Sequence, residues 1–179
     1  YRYSILKSKE LWGKYAVTHV DFKLSKTFTP NLEYGALKAA VSSLGDDCVL
    51  SATLLRQVIR ETRDGKLPDP KVLGNAGSFF MNPVVKRSFF ENLLEKYPKM
   101  PHYVIDEEHV KIPAGWLIET AGWKGRSLGK AGVYEKQALV LVNLGGATGQ
   151  DIVRLCNTVR DDVKKMFDID IHPEVNFIS

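Results

Sequence analysis

The chain has 179 residues, of which 44% are hydrophobic and 26% charged, with a formal net charge of +4. That balance fits a folded core and excludes a disordered polyampholyte. The basic residues are scattered, so no nucleic-acid partner is expected. No apolar run approaches the roughly 18 residues of a membrane helix, so no membrane partner is expected either. The two cysteines, Cys48 and Cys156, lack the spacing of a zinc or redox pair. The opening Y-R-Y-S-I-L-K has no initiator Met and reads as a piece of a longer protein.

Residues 14–24 alternate, with Ala16, Val20, Phe22 and Leu24 on one side, and predict a half-buried strand. Pro30 then marks a loop. Residues 33–44 and 50–62 predict helices. Leu50, Leu54, Leu55, Val58 and Ile59 form the apolar face of the second. Residues 64–71, with Pro68 and Pro70, predict an extended loop.

The glycine- and asparagine-rich stretch G-N-A-G-S-F-F-M-N-P, 74–83, follows, and Phe79–Phe80 should begin a strand. Residues 84–97 predict a helix and 109–112 a short strand. Residues 114–121 form a short helix behind Pro113, and 122–132 a loop. The run A-L-V-L-V, 138–142, predicts a buried strand. The strongest helix spans 148–167, opened by a capping-box-like pair, Thr148 and Asp151. Its stripe is Ile152, Leu155, Cys156, Val159, Val163 and Met166. Residues 175–178 predict a closing strand. The mixed order of strands and helices makes the fold class α+β.

Several side chains could carry chemistry. Ser78 sits among glycines that let a backbone approach a ligand. The G-x-S-x-G elbow is absent, and no histidine lies in a convincing motif beside it, which argues against a serine hydrolase. A serine held this way either packs structurally or donates a proton. Glu174, placed by Pro173, is either a surface carboxylate or an acid at a strand mouth. Lys66, within the proline loop, and Arg63, just before it, are either solvated charges or a phosphate clamp. Tyr34 either packs a helix end or lies over a sugar or base. Arg2, near the chain start, carries no signal by itself. His19, His102, His109 and His172 do not share metal-ligand spacing, so no metal is expected.

Taken in order, the pieces Y-R-x-S-I-x-K, K-L-P-D-P-K, G-N-A-G-S-F-F-x-N-P, A-G-W-L-I-E, G-W-K-G, Q-A-L-V-L-V-N and P-E-V-x-F-I span nearly the whole chain. Together they resemble the C-terminal half of the UDP-N-acetylenolpyruvoylglucosamine reductase (UDP-N-acetylmuramate dehydrogenase) family. The serine motif and the ordered set are specific, whereas any single piece is weak. Met81 departs from a lysine often found before the Asn-Pro, and Asn176 from an arginine in some members.

The resemblance implies a flavoenzyme of bacterial peptidoglycan synthesis. In it, NADPH reduces FAD, and hydride then passes to the enolpyruvyl group of UDP-N-acetylglucosamine enolpyruvate. It implies Ser78 as the proton donor to the resulting enol. Glu174 and Arg2 would stabilise that intermediate, and Tyr34, Lys66, Asn82 and Gln137, with Arg63 and Lys124, would hold the nucleotide sugar. It also implies a division into residues 1–27, the tail of an FAD-binding domain, and 28–179, a substrate-binding domain. The expected protein is cytoplasmic and monomeric, and this piece alone is expected neither to retain FAD nor to turn over. The competing reading is a stand-alone nucleotide-sugar binding module without catalysis.

Overall fold

The computed structural model describes residues 5–7, 10–11, 13–33, 37–45 and 48–178. The chain divides into two compact units, Tyr1–Thr62 and Arg63–Ser179. The first holds a 3-10 turn at Ile5–Lys7, helix α1 (Leu37–Ser42) and most of helix α2 (Ala52–Asp64). The Ser51 hydroxyl accepts from the Leu54 N–H at 3.2 Å and opens α2. Val58 is the buried residue of the predicted apolar face.

The strand expected over 14–24 does not form. Residues 15–24 carry no helix or strand, and Phe22 and Leu24 are 78% and 81% exposed. Alternation makes a strand only where a second strand completes its hydrogen bonds, and no described strand pairs with this segment.

The second unit contains two antiparallel sheets. The larger has the order β1-β7-β6-β5, from β1 (Asn75–Ser78), β5 (Ser127–Leu128), β6 (Ala131–Val133) and β7 (Val140–Asn143). The smaller has the order β2-β4-β3, from β2 (Val84–Lys86), β3 (Tyr103–Val104) and β4 (His109–Lys111). Three helices complete the unit: α3 (Arg87–Lys96), α4 (Ala114–Thr120) and α5 (Gly149–Phe167). Helices and small antiparallel sheets together make the fold α+β, as expected.

Helix α5 forms where its periodicity predicts. The Thr148 hydroxyl accepts from the Asp151 N–H, and the Asp151 carboxylate accepts from the Thr148 N–H, closing a capping box. Leu155, Cys156, Val159 and Val163 are buried along the stripe. Phe167 rather than Met166 completes it, since Met166 is largely exposed. Burial pushes the Cys156 thiol up to about 11, in keeping with a packing role. The helix lies against β5, β6 and β7 and against α4. The Trp123 indole N–H ties the turn after α4 to Asp162 of α5 at 2.9 Å.

Four expectations change. Residues 122–132 do not remain loop: they supply β5 and the start of β6, a hairpin whose inner strand is wholly buried. Val84–Lys86 form a strand rather than the first turn of a helix, because they pair with Lys111, Val110 and His109 of β4. The strand expected to begin at Phe79 ends at Ser78 instead. The closing strand expected over 175–178 does not form, and an isolated bridge joins Phe80 to Pro173 just before it. The core cluster runs from Phe79 to Ile171 and joins both sheets to α3, α4 and α5.

Candidate functional site

The site assembles around the end of β1. Ser78, half-buried, pairs with Val140 of β7, and the Phe79 N–H donates to the Leu139 carbonyl at 2.8 Å. The chain then leaves the sheet and finds a new partner. The Phe79 carbonyl accepts from the Glu174 N–H at 2.8 Å, and the Met81 N–H donates to the His172 carbonyl at 2.9 Å. These bonds place Glu174, half-buried, beside the residue that follows Ser78 although the two lie nearly a hundred positions apart. The Phe177 ring packs 6.2 Å from that of Phe79 and keeps the C-terminal segment on the motif. Phe79 and Phe80 are themselves buried, so the aromatic pair is the anchor and the serine is the residue it presents.

Asn82 and Gln137 come together at the start of α4. The Asn82 side-chain oxygen accepts from the Ala114 N–H at 3.0 Å, satisfying one of the unpaired donors of the helix start. The Gln137 side-chain oxygen accepts from the Leu139 N–H at 3.3 Å. A Cβ built on Gly115 would lie 3.5 Å from that Gln137 oxygen and 3.3 Å from the Leu139 side chain. Glycine there lets α4 approach the turn before β7 that carries Gln137. The Leu139 carbonyl also receives the Phe79 N–H, so Gln137 and the segment after Ser78 are joined through Leu139.

Arg63 lines a groove of about 580 Å³ together with Asp64, Leu67, Asp69, Asn75 and Gly77. Two carboxylates share it with one guanidinium, so its lining is not a uniform cationic clamp. Lys66 is exposed on the turn that closes on the Arg63 carbonyl, outside the residues lining the groove. The Lys124 ammonium pairs with Glu119 at the end of α4, 2.8 Å away. Arg2 and Tyr34 lie outside the described residues.

Sequence reasoning treated Asn75 and Gly77 as turn formers and missed their geometry. Gly77 has φ +70°, inside a register irregularity of the β1–β7 pairing. The Asn75 side-chain oxygen accepts from the Gly77 N–H at 3.0 Å. The signal was available: an asparagine two residues before a glycine is the pattern of a side-chain turn.

The family model described as UDP-N-acetylenolpyruvoylglucosamine reductase, C-terminal domain, matches residues 69–178. The chain belongs to that family. It is 52% identical to the reductase of that name from Bacteroides fragilis, over 99% of this chain and 52% of the relative. The reductase from Porphyromonas gingivalis is 44% identical over the same shares. A solved UDP-N-acetylenolpyruvylglucosamine reductase from Thermus caldophilus is 23% identical with a TM-score of 0.41, over 68% of this chain and 32% of that one. The chain thus spans about half the length of the curated reductases it matches.

Proposed function

We propose that this chain is the substrate-binding and proton-donating part of a flavin-dependent, NADPH-consuming reductase. The whole protein would convert UDP-N-acetylglucosamine enolpyruvate to UDP-N-acetylmuramate in a bacterial cytoplasm, acting as a monomer. The observation that carries this reading is the backbone pairing that sets Glu174 against the residue after Ser78, in a chain of this family.

At the glycine-rich stretch Gly74–Ser78 the Gly77 N–H is engaged by the Asn75 carboxamide oxygen, so that donor is not presented to a flavin diphosphate. FAD and NADPH belong, in this reading, to parts of the whole protein outside this substrate domain, with residues 1–27 as the tail of the flavin domain and 28–179 as the substrate domain. The bound flavin supplies the hydride.

This chain's own residues handle the charge that follows. Negative charge develops on the substrate carbon next to a carboxylate. The Ser78 Oγ–H gives its proton to that carbon and regains one from water. Glu174 hydrogen-bonds the enolic form, and Arg2 sets a cation against it, both stabilising charge that exists only late in the reaction. Asn82 and Gln137 have their side-chain oxygens engaged by backbone N–H groups. Their carboxamide nitrogens donate to the nucleotide sugar. Lys66 and Arg63 answer the diphosphate, Tyr34 covers the substrate, and Lys124 exchanges Glu119 for a ligand oxygen.

The test uses the full-length protein carrying Ser78→Ala. NADPH should still reduce the flavin at the wild-type rate, while reoxidation of the flavin by substrate and product formation fall at least a hundredfold, the scale of a lost general acid. Equal loss of both half-reactions would give Ser78 a different role.

A further inference from the structure

Residues three apart on a regular strand lie on opposite faces of its sheet. Asn75 and Ser78 are three apart on β1, yet their partners on β7, Val142 and Val140, are two apart. One extra residue is therefore accommodated in β1, and it brings Asn75 and Ser78 to the same face. Continued without the irregularity, the Asn75–Val142 register would set Ser78 opposite Leu139 and turn its hydroxyl to the other side.

The extra residue fits because Gly77 takes φ +70°. A Cβ at Gly77 would meet nothing within 4 Å. Glycine is thus required by the backbone conformation and not by crowding.

Asn75 holds that conformation from three directions. Its oxygen accepts from the Gly77 N–H at 3.0 Å. Its nitrogen donates to the Leu73 carbonyl at 2.8 Å and to the Pro68 carbonyl at 3.4 Å. Pro68 belongs to the turn that walls the groove containing Arg63. The carboxamide thus joins the groove wall to the bulge that aims the serine.

We propose that Asn75 is a positioning residue for Ser78: its carboxamide fixes the Gly77 bulge, and the bulge sets the face from which the Ser78 hydroxyl delivers its proton. This rests on the reading of Ser78 as proton donor given above. Losing the bulge leaves the hydroxyl in place chemically but misdirects it. Misplacement of a reacting group by about 1 Å costs on the order of a hundredfold in rate.

The test compares Asn75→Ala and Asn75→Asp with Ser78→Ala in the full-length protein. Asn75→Asp keeps the acceptor for Gly77 and loses the donors to Pro68 and Leu73. Asn75→Ala should slow flavin reoxidation by substrate roughly 10- to 100-fold, with KM for the substrate within about threefold and reduction by NADPH unchanged. Its solvent deuterium isotope effect on reoxidation should rise, because proton delivery becomes slower than hydride transfer. Asn75→Asp should recover part of the rate, and exchange of the Gly77 amide should accelerate at least tenfold in Asn75→Ala alone.

Wild-type reoxidation with an unchanged isotope effect in both variants would overturn the proposal. So would loss of both half-reactions in step with loss of folded protein in Asn75→Asp. If Asn75→Ala does not fold, the Asn75→Asp rate and isotope effect decide. Ser78→Ala separates the two ideas: product formed normally without the hydroxyl sinks the reading of the serine, whereas an inactive Ser78→Ala beside Asn75 variants that run at the wild-type rate sinks only the positioning role.

Discussion

Residues 14–24 and 122–132 reverse what their sequences predict. The first segment alternates and forms no strand, leaving Phe22 and Leu24 exposed. The second shows no alternation, reads as loop, and supplies β5 and the start of β6, with Ala131, Gly132 and Val133 of β6 all buried. The difference lies in the neighbours. β6 runs between β5 and β7 and completes its backbone hydrogen bonds on both sides, while residues 15–24 pair with no described strand. A ladder, not a pattern, makes a strand, and small residues suit the interior strand because α5 and the Leu144 side chain press on it.

The contrast can be broken at its extremes. Phe80 is fully buried where the serine motif meets Pro173. Phe80→Ala should lower the unfolding free energy of the second unit by about 3–5 kcal/mol, read by denaturant titration. Phe22→Ala, at a 78% exposed side chain of the first unit, should change that unit's own unfolding free energy by less than about 0.5 kcal/mol. A comparable loss at Phe22 would mean that the alternating segment is packed after all.

A gentler probe acts on β6. A Cβ on Gly132 would stand 3.2 Å from the Leu144 side chain and 3.4 Å from the Arg126 carbonyl. The leucine can move and the backbone cannot, so Gly132→Val should cost about 1–3 kcal/mol by overpacking. A neutral result in thermal melts would mean the hairpin is looser than its burial implies.

A smaller effect than at Phe80 or Gly132 concerns the start of α5, the helix that packs on β5, β6 and β7. Thr148→Ala should cost about 1 kcal/mol at neutral pH. The Thr148 backbone N–H and then its hydroxyl, outweighing desolvation, hold the Asp151 carboxyl below its ordinary 3.8. A lowered folded-state value stabilises above the ordinary one and is lost as pH falls through the folded one. The gap between wild type and Thr148→Ala should therefore narrow in melts below about pH 4. A gap constant from pH 7 to 2 would remove the carboxylate from the cap.

Much of the fold was legible because helices declare themselves locally. The stripe of α5, its capping pair and the face of α2 depend on residues three and four apart; the capping pair formed as read, the stripe formed with Phe167 in place of Met166, and of the α2 face Val58 is buried while Ile59 is exposed and Leu50 lies before the helix. The short strands depend on partners far away in sequence. Val84–Lys86 read as helix until β4 claimed them, and Tyr103–Val104 had too few residues to announce β3. Ser78 and Glu174 stand out in the sequence only as motif residues, and the backbone bond that sets Glu174 against Phe79, the residue after Ser78, is not written in either motif. Lys124 was legible as a charge, but not as the partner of Glu119.

The sequence by itself determined the family, the helices and the residue types of the candidate site, because each is written in contiguous motifs or in 3.6-residue periodicity. The tertiary structure decided which extended segments become strands and on which face Ser78 stands. Both depend on backbone hydrogen bonds between distant segments, and a one-residue bulge held by a side chain reverses the face without changing the motif.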